Sequence, residues 1–344
     1  AKWETMYFHL GDDGTGSLTV ADGGELEAGE LHASISDIDG NGRIIAHGGF
    51  LDADIRFDDA TADVAIVPFG SGGVLTVDRV TERLGIGRKS EGTLTVSNGV
   101  HVITEAGYVG NLTSTGAALV TGPGSRWQIE SLSVGSGSLV VEAGGELVTM
   151  HASLGAAGNV VARIDGSGSR WVNQYRIATG SSKLPEHLIL EVVNGGSIET
   201  SALAVRWEDL RGDGTITATA GAALNVDLFF DATHTHQEEF EFGEGGRLSV
   251  NYYDGHLGLG HFGQGRATIT GGAHVVTADS VLARGSASRG VVAVEGSSTL
   301  WENSYTIYVG SGGVGRLSVR TGATVASHGI SVDADSTLLV AGPD

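Results

Sequence analysis

The chain has 344 residues, of which 56 are glycine, 4 proline and none cysteine. That excludes collagen, a disulfide scaffold, a cysteine-ligated zinc site and a thiol nucleophile. Basic residues number 20 against 41 acidic ones, a net charge of −21, which is the wrong sign for binding nucleic-acid phosphates or an anionic membrane surface. No apolar run reaches the ~18 residues of a membrane-spanning helix, so neither nucleic acid nor membrane insertion is expected.

Short strand-like runs follow one another along the chain. GSLTV stands at 16–20, GVLTV at 73–77, GTLTV at 92–96, GSLVV at 137–141, and GRLSV at 246–250 and 315–319. Each alternates apolar with polar or small residues, the period of a strand with one buried face. Gly-Gly or Asn-Gly turns follow most of them, as at Gly23-Gly24, Asn98-Gly99 and Gly144-Gly145. One short helix is predicted over 76–84 (TVDRVTERL). A second signature, GSRW, occupies 124–127 and 168–171, with the looser STLW at 298–301.

A longer period contains the short one. DGNGRI at 39–44 returns as RGDGTI at 211–216, GVHVIT at 99–104 as GAHVVT at 272–277, and Trp127 as Trp301, offsets of 172 to 174. The chain therefore reads as a tandem duplication of a unit of about 172 residues, with pseudo-repeats near 1–170 and 171–344. The expected fold is all-β: a single continuous right-handed parallel β-helix of about 15 coils, with glycine-permitted bends between strands stacked ~4.8 Å apart. A propeller is the second choice, because its antiparallel hairpins call for more two-residue turns and aromatics. Residues 55–70 and 176–210 fit the pattern poorly.

The alternation of G-x-L-x-V-x-x-G-G with V-x-G-x-G-S-x-W resembles the repeat of autotransporter (type V secretion) passengers and PEP-CTERM-associated proteins. The residues that carry it are Leu94 to Gly99, Val120 to Trp127, Leu139 to Gly145, Ile164 to Trp171 and Leu317 to Gly322. The resemblance implies an exported, extracellular or cell-surface β-helical stalk or fibre, and it implies no catalytic residues.

Written tail to head, the chain reads LVAGPD-AKW, against the internal LVTGPGSRW at 119–127. Leu339, Val340, Gly342, Pro343, Lys2 and Trp3 fall where Leu119, Val120, Gly122, Pro123, Arg126 and Trp127 stand. An uncapped solenoid end exposes strand edges and core. The expectation is a head-to-tail homopolymer joined through Lys2, Trp3, Leu338, Leu339, Val340, Gly342, Pro343 and Asp344. The alternatives are one period or adhesin segment of a longer surface protein, with glycans as possible partners, and a polysaccharide-degrading enzyme.

Other residue groups carry the side chains of chemical sites. His234, His236 and Glu238 in THTHQEE share one face if they lie on a strand, and His-x-His with a carboxylate is a metal-ligand pattern. The other half carries Thr61, Asp63 and Ala65 at those places. DIDGNG at 37–42 resembles the first half of a calcium loop, but Gly48 stands where the bidentate acid belongs; a turn is the better reading, with calcium as the alternative, and no other cofactor is expected. Asp52, Asp54, Asp58 and Asp59 form the densest acidic group, of which the second half keeps only Asp227 and Asp231. Trp127, Trp171 and Trp301, recurring at one coil position, are expected to pack a corner rather than to stack on sugars.

Overall fold

The computed structural model describes all residues except 12–13, 61–63, 79, 112, 156–157, 180–186, 262 and 343–344, and no side chains at 80–82. The fold is a parallel β-solenoid: 64% of the chain is strand, stacked in about 13 turns. Strands 1–17 in chain order recur as strands 18–34, and the 3-10 turn Ile35–Asp37 recurs as Trp207–Asp209. The chain divides into two compact units, Ala1–Gln174 with Pro185–Ile198, and Tyr175–Leu184 with Glu199–Asp344.

In the first unit the runs at 92–96 and 137–141 join one stacked sheet face, whereas GVLTV at 73–77 is a strand of another sheet. Asp54–Phe57, Gly92–Val96, Gly116–Thr121, Gly137–Glu142, Val160–Asp165 and Leu188–Val193 pair in parallel register. Their alternate residues form two buried columns: Ile55, Leu94, Ala118, Leu139, Ala162 and Leu190, and Phe57, Val96, Val120, Val141, Ile164 and Val192. The alternation dictates this, because a one-residue slip would turn every apolar side chain outward. The second unit repeats the arrangement with Leu228, Ala267, Val292 and Leu317 beside Phe230, Ile269, Val294 and Val319.

The turns number about 13 rather than about 15, because coils are longer than 20–24 residues in places. Leu139 pairs with Ala162, 23 residues on, but Ala162 with Leu190, 28 on. Each repeat also spends residues on an antiparallel hairpin, Val64–Phe69 with Gly73–Asp78 and Gln237–Phe242 with Gly246–Asn251. The first strand of the first hairpin, Val64–Phe69, falls within the poorly fitting segment at 55–70.

The helix predicted over 76–84 is not formed. Strands Gly73–Asp78 and Val80–Ile86 occupy the segment. Its Val and Thr residues lose side-chain freedom in a helix, and ladder partners stand ready at Arg43–Ala46 and His101–Val109.

Candidate functional site

The most regular polar feature of the core is a link between successive coils. Trp127 donates its indole N–H to Thr104 Oγ1 at 3.2 Å, Trp171 to Thr149 at 2.9 Å, and Trp301 to Thr277 at 3.0 Å. All three indoles are fully buried, at 0% exposure. A buried indole N–H needs an acceptor, and the coil before it supplies one. The ladder sets the geometry: Trp127 pairs with Val102 and Trp301 with Val275, and the threonine lies two residues further along. These tryptophans pack the corner, as expected, and are closed to a ligand.

A second link precedes each tryptophan by two residues. Ser125, Ser169 and Thr299 accept the backbone N–H of Gly99, Gly144 and Gly272 on the preceding coil, at 2.9, 3.0 and 3.1 Å. The serine of GSRW thus ties its own turn to the one before it.

At the terminal coils the same positions lie open. Trp3 is 60% exposed, with its ring edge-on to Phe8 at 5.5 Å. Met6 and Tyr7 on the same strand, Lys2–His9, are exposed too. Lys2 reaches Glu4 at 2.6 Å and Glu27 at 2.7 Å, and these carboxylates push its pKa up. In the second unit, strands Thr324–Val332 and Thr337–Val340 expose Ile330, Val332, Leu338, Leu339 and Val340, the last at 72%. Gly342 is exposed as well. Pro343 and Asp344 lie outside the described residues.

The histidine pair of THTHQEE does not lie on a strand. The strand begins at Gln237, and His234 and His236 belong to the connection before it, so strand alternation does not align them with Glu238. His234 is held by Thr233 and Asp231. Asp231 accepts from the Thr233 hydroxyl and from the backbone N–H groups of Thr233 and His234, which hold its carboxyl at about 2. Glu238 turns to the backbone N–H of Phe229 at 3.3 Å, and burial pushes its pKa up. His236 bonds the Thr235 hydroxyl, and burial lowers its pKa. Among the described residues no group of three acidic or histidine side chains is placed to hold a metal. Thr61 and Asp63 of the other half lie outside the described residues.

The acidic group of the first unit is dispersed into structural roles. Asp52 is buried and accepts the backbone N–H groups of Arg88, Lys89 and Ser90 at 2.6, 2.9 and 3.0 Å. Asp54 accepts the Thr93 hydroxyl, Asp58 pairs with Arg56, and Asp59 accepts from Asn98. In DIDGNG, Asp39 caps the N–H of Gly40. Gly40, at φ +109°, passes so close to the Val20 carbonyl that no β-carbon fits. Its backbone therefore serves a tight turn.

One cluster escaped sequence reasoning. Glu30 and His32 are buried, and His32 takes a hydrogen bond from Arg88 Nη1 on Nδ1 at 2.9 Å. A guanidinium only donates, so the ring proton sits on Nε2 and is donated to Glu30 at 3.1 Å. Burial lowers the His32 pKa despite Glu30. His9 stacks on His32 at 4.2 Å, Phe50 follows at 5.1 Å and Tyr108 at 4.8 Å beyond it. In the second unit the same register carries Ala204, Ala223 and Gly258 where the first carries His32, Phe50 and Gly85. The ladder joins residues 9, 32, 50 and 108, and Arg88 reaches His32 from the bend after Val80–Ile86, so local spacing carries no signal for it.

Compared with protein-family models, curated proteins and solved structures, the chain matches none.

Proposed function

We propose that the chain is a structural, non-enzymatic solenoid that assembles head to tail into a filament at the cell surface or outside the cell. The observation that carries this reading is the contrast between coil positions. Trp127, Trp171 and Trp301 are fully buried by their neighbours, whereas Trp3, at the equivalent place, is 60% exposed. Val340 is 72% exposed where Val120 and Val141 are fully covered. An open strand edge with apolar side chains beside it is a template for another strand. A contact that joins two different surfaces propagates rather than closing. The extracellular setting rests on the resemblance of the repeat to autotransporter passengers.

The test is electron microscopy with light scattering on the purified 344-residue chain. Rods of indefinite length are expected, with short oligomers at low concentration. Deleting 338–344 is expected to abolish assembly and leave the β circular dichroism unchanged. Monodisperse monomers at high concentration would overturn the reading.

A further inference from the structure

We infer that the junction has a single register, set by Trp3 of one copy donating its indole N–H to Ser327 of the copy before it. This rests on the head-to-tail reading and specifies its contact.

Three internal coils define the rule. Where Trp127 pairs with Val102, the acceptor is Thr104; where Trp301 pairs with Val275, it is Thr277; Trp171 uses Thr149, two places after Leu147. The acceptor strand thus reads Val-x-Thr or Leu-x-Thr. Strand Thr324–Val332 contains Val325-Ala326-Ser327, the same pattern with serine for threonine. Its lower edge is occupied, since Val325 pairs with Trp301 and Ser327 with Asn303. Its other edge meets no strand among the described residues. Ser327 is exposed, whereas Thr104, Thr149 and Thr277 are buried beneath an indole.

Trp3 is the complementary half. Among the described residues its strand pairs on one side only, with Glu25–Ser34. Setting Trp3 on Val325 puts Ser327 two residues along, as in the internal links. The second sheet agrees. Arg316–Val319 pairs with Thr337–Val340 so that Leu317 meets Leu338 and Val319 meets Val340. The next G-x-L-x-V run, at 16–20, continues those columns with Leu18 over Leu338 and Val20 over Val340. One internal link is missing. Ala1 stands where Ser125 stands, so no hydroxyl receives the N–H of Gly322.

Because the chain has no cysteine, disulfide trapping reads the register directly. The register pairs Glu4 with Ala326, as Glu302 pairs with Ala326 from below. Adjacent paired strands lie ~4.8 Å apart, inside the Cα window of a disulfide, whereas a two-residue offset exceeds its ~7 Å limit. Glu4→Cys with Ala326→Cys is expected to give a reducible ladder of covalent multimers. Glu4→Cys with Thr324→Cys is expected to give at least tenfold less. Separately, Ser327→Ala should raise the critical concentration about fivefold, the worth of one hydrogen bond, and Trp3→Phe should raise it further through lost packing. The double variant should add little, and Ser327→Thr should keep assembly intact. Filaments that form but crosslink equally, or better through Thr324, overturn the register and leave head-to-tail assembly standing. Monomers alone, with no crosslinks, overturn both.

Discussion

Trp171 donates its indole N–H to Thr149 across 2.9 Å, and both side chains are fully buried. Asn173 donates to the same hydroxyl at 2.8 Å. One threonine therefore satisfies two donors from the next coil, in a core built largely from Leu, Val, Ile and Ala. In an apolar stack that tolerates sliding, such a polar link fixes which residue lies over which.

Thr149→Val keeps the shape and removes the acceptor. It leaves the Trp171 N–H without its partner, and a buried unsatisfied donor costs about 1–3 kcal/mol. The expected result is a loss of about that size in chemical denaturation. Trp171→Phe should cost more through lost packing, but Thr149→Val added to it should cost less than it does alone.

Gly85 lies beneath Phe50. A β-carbon at Gly85 would overlap the Phe50 ring, and all three of its nearest neighbours belong to that ring. Gly85→Ala is expected to destabilise the first unit by about 1–3 kcal/mol, as overpacking does. Phe50→Ala should open the space, so the double variant is expected to lose less than the two single losses added together. A thermal or urea melt of the four proteins checks this.

His261 is buried, and burial first, then Arg176, Arg284 and His256, pull its pKa down to about 3. The folded form therefore stays neutral while the unfolded form, titrating near 6.5, takes a proton. Stability from this group is present above about pH 6.5 and is lost as pH falls toward about 3. The slope approaches one proton, about 1.4 kcal/mol per pH unit. His261→Gln should flatten the stability curve by one proton in that window, measured as denaturant unfolding at several pH values.

Ala1→Ser restores the hydroxyl that Ser125 contributes internally to Gly99. The expected outcome is a critical concentration lowered several-fold, read by sedimentation of filaments. Each copy carries −21 charges, and salt shortens the Debye length from ~30 Å at 0.01 M to ~8 Å at 0.15 M. Assembly should therefore strengthen as salt rises over that range. A weakening would mean that the junction is held by ion pairs instead.

The solenoid was legible because its signal is local. Leu94 and Val96 face inward by alternation alone, and Trp127 and Trp301 mark the same corner 174 residues apart. The duplication was legible for the same reason, down to GVHVIT and GAHVVT, whose threonines are Thr104 and Thr277. That those threonines receive the indoles was not legible, since each acceptor lies 22 to 24 residues before its tryptophan. The helix expected at 76–84 failed because Val77 and Leu84 suit a helix face as well as a strand, and ladder partners far along the chain decided between them.

By itself, the sequence determined the class of fold, the direction in which each strand turns its apolar face, and the period of about 172. Those follow from spacing between neighbours and from glycine at the bends. Only the tertiary structure decided which coil answers which. Stacking brings residues one turn apart in sequence into contact. It commits Asp52 to a loop 36 residues away, seats Phe50 over Gly85, and gives three tryptophans their hydroxyls while Trp3 and Ser327 stand exposed.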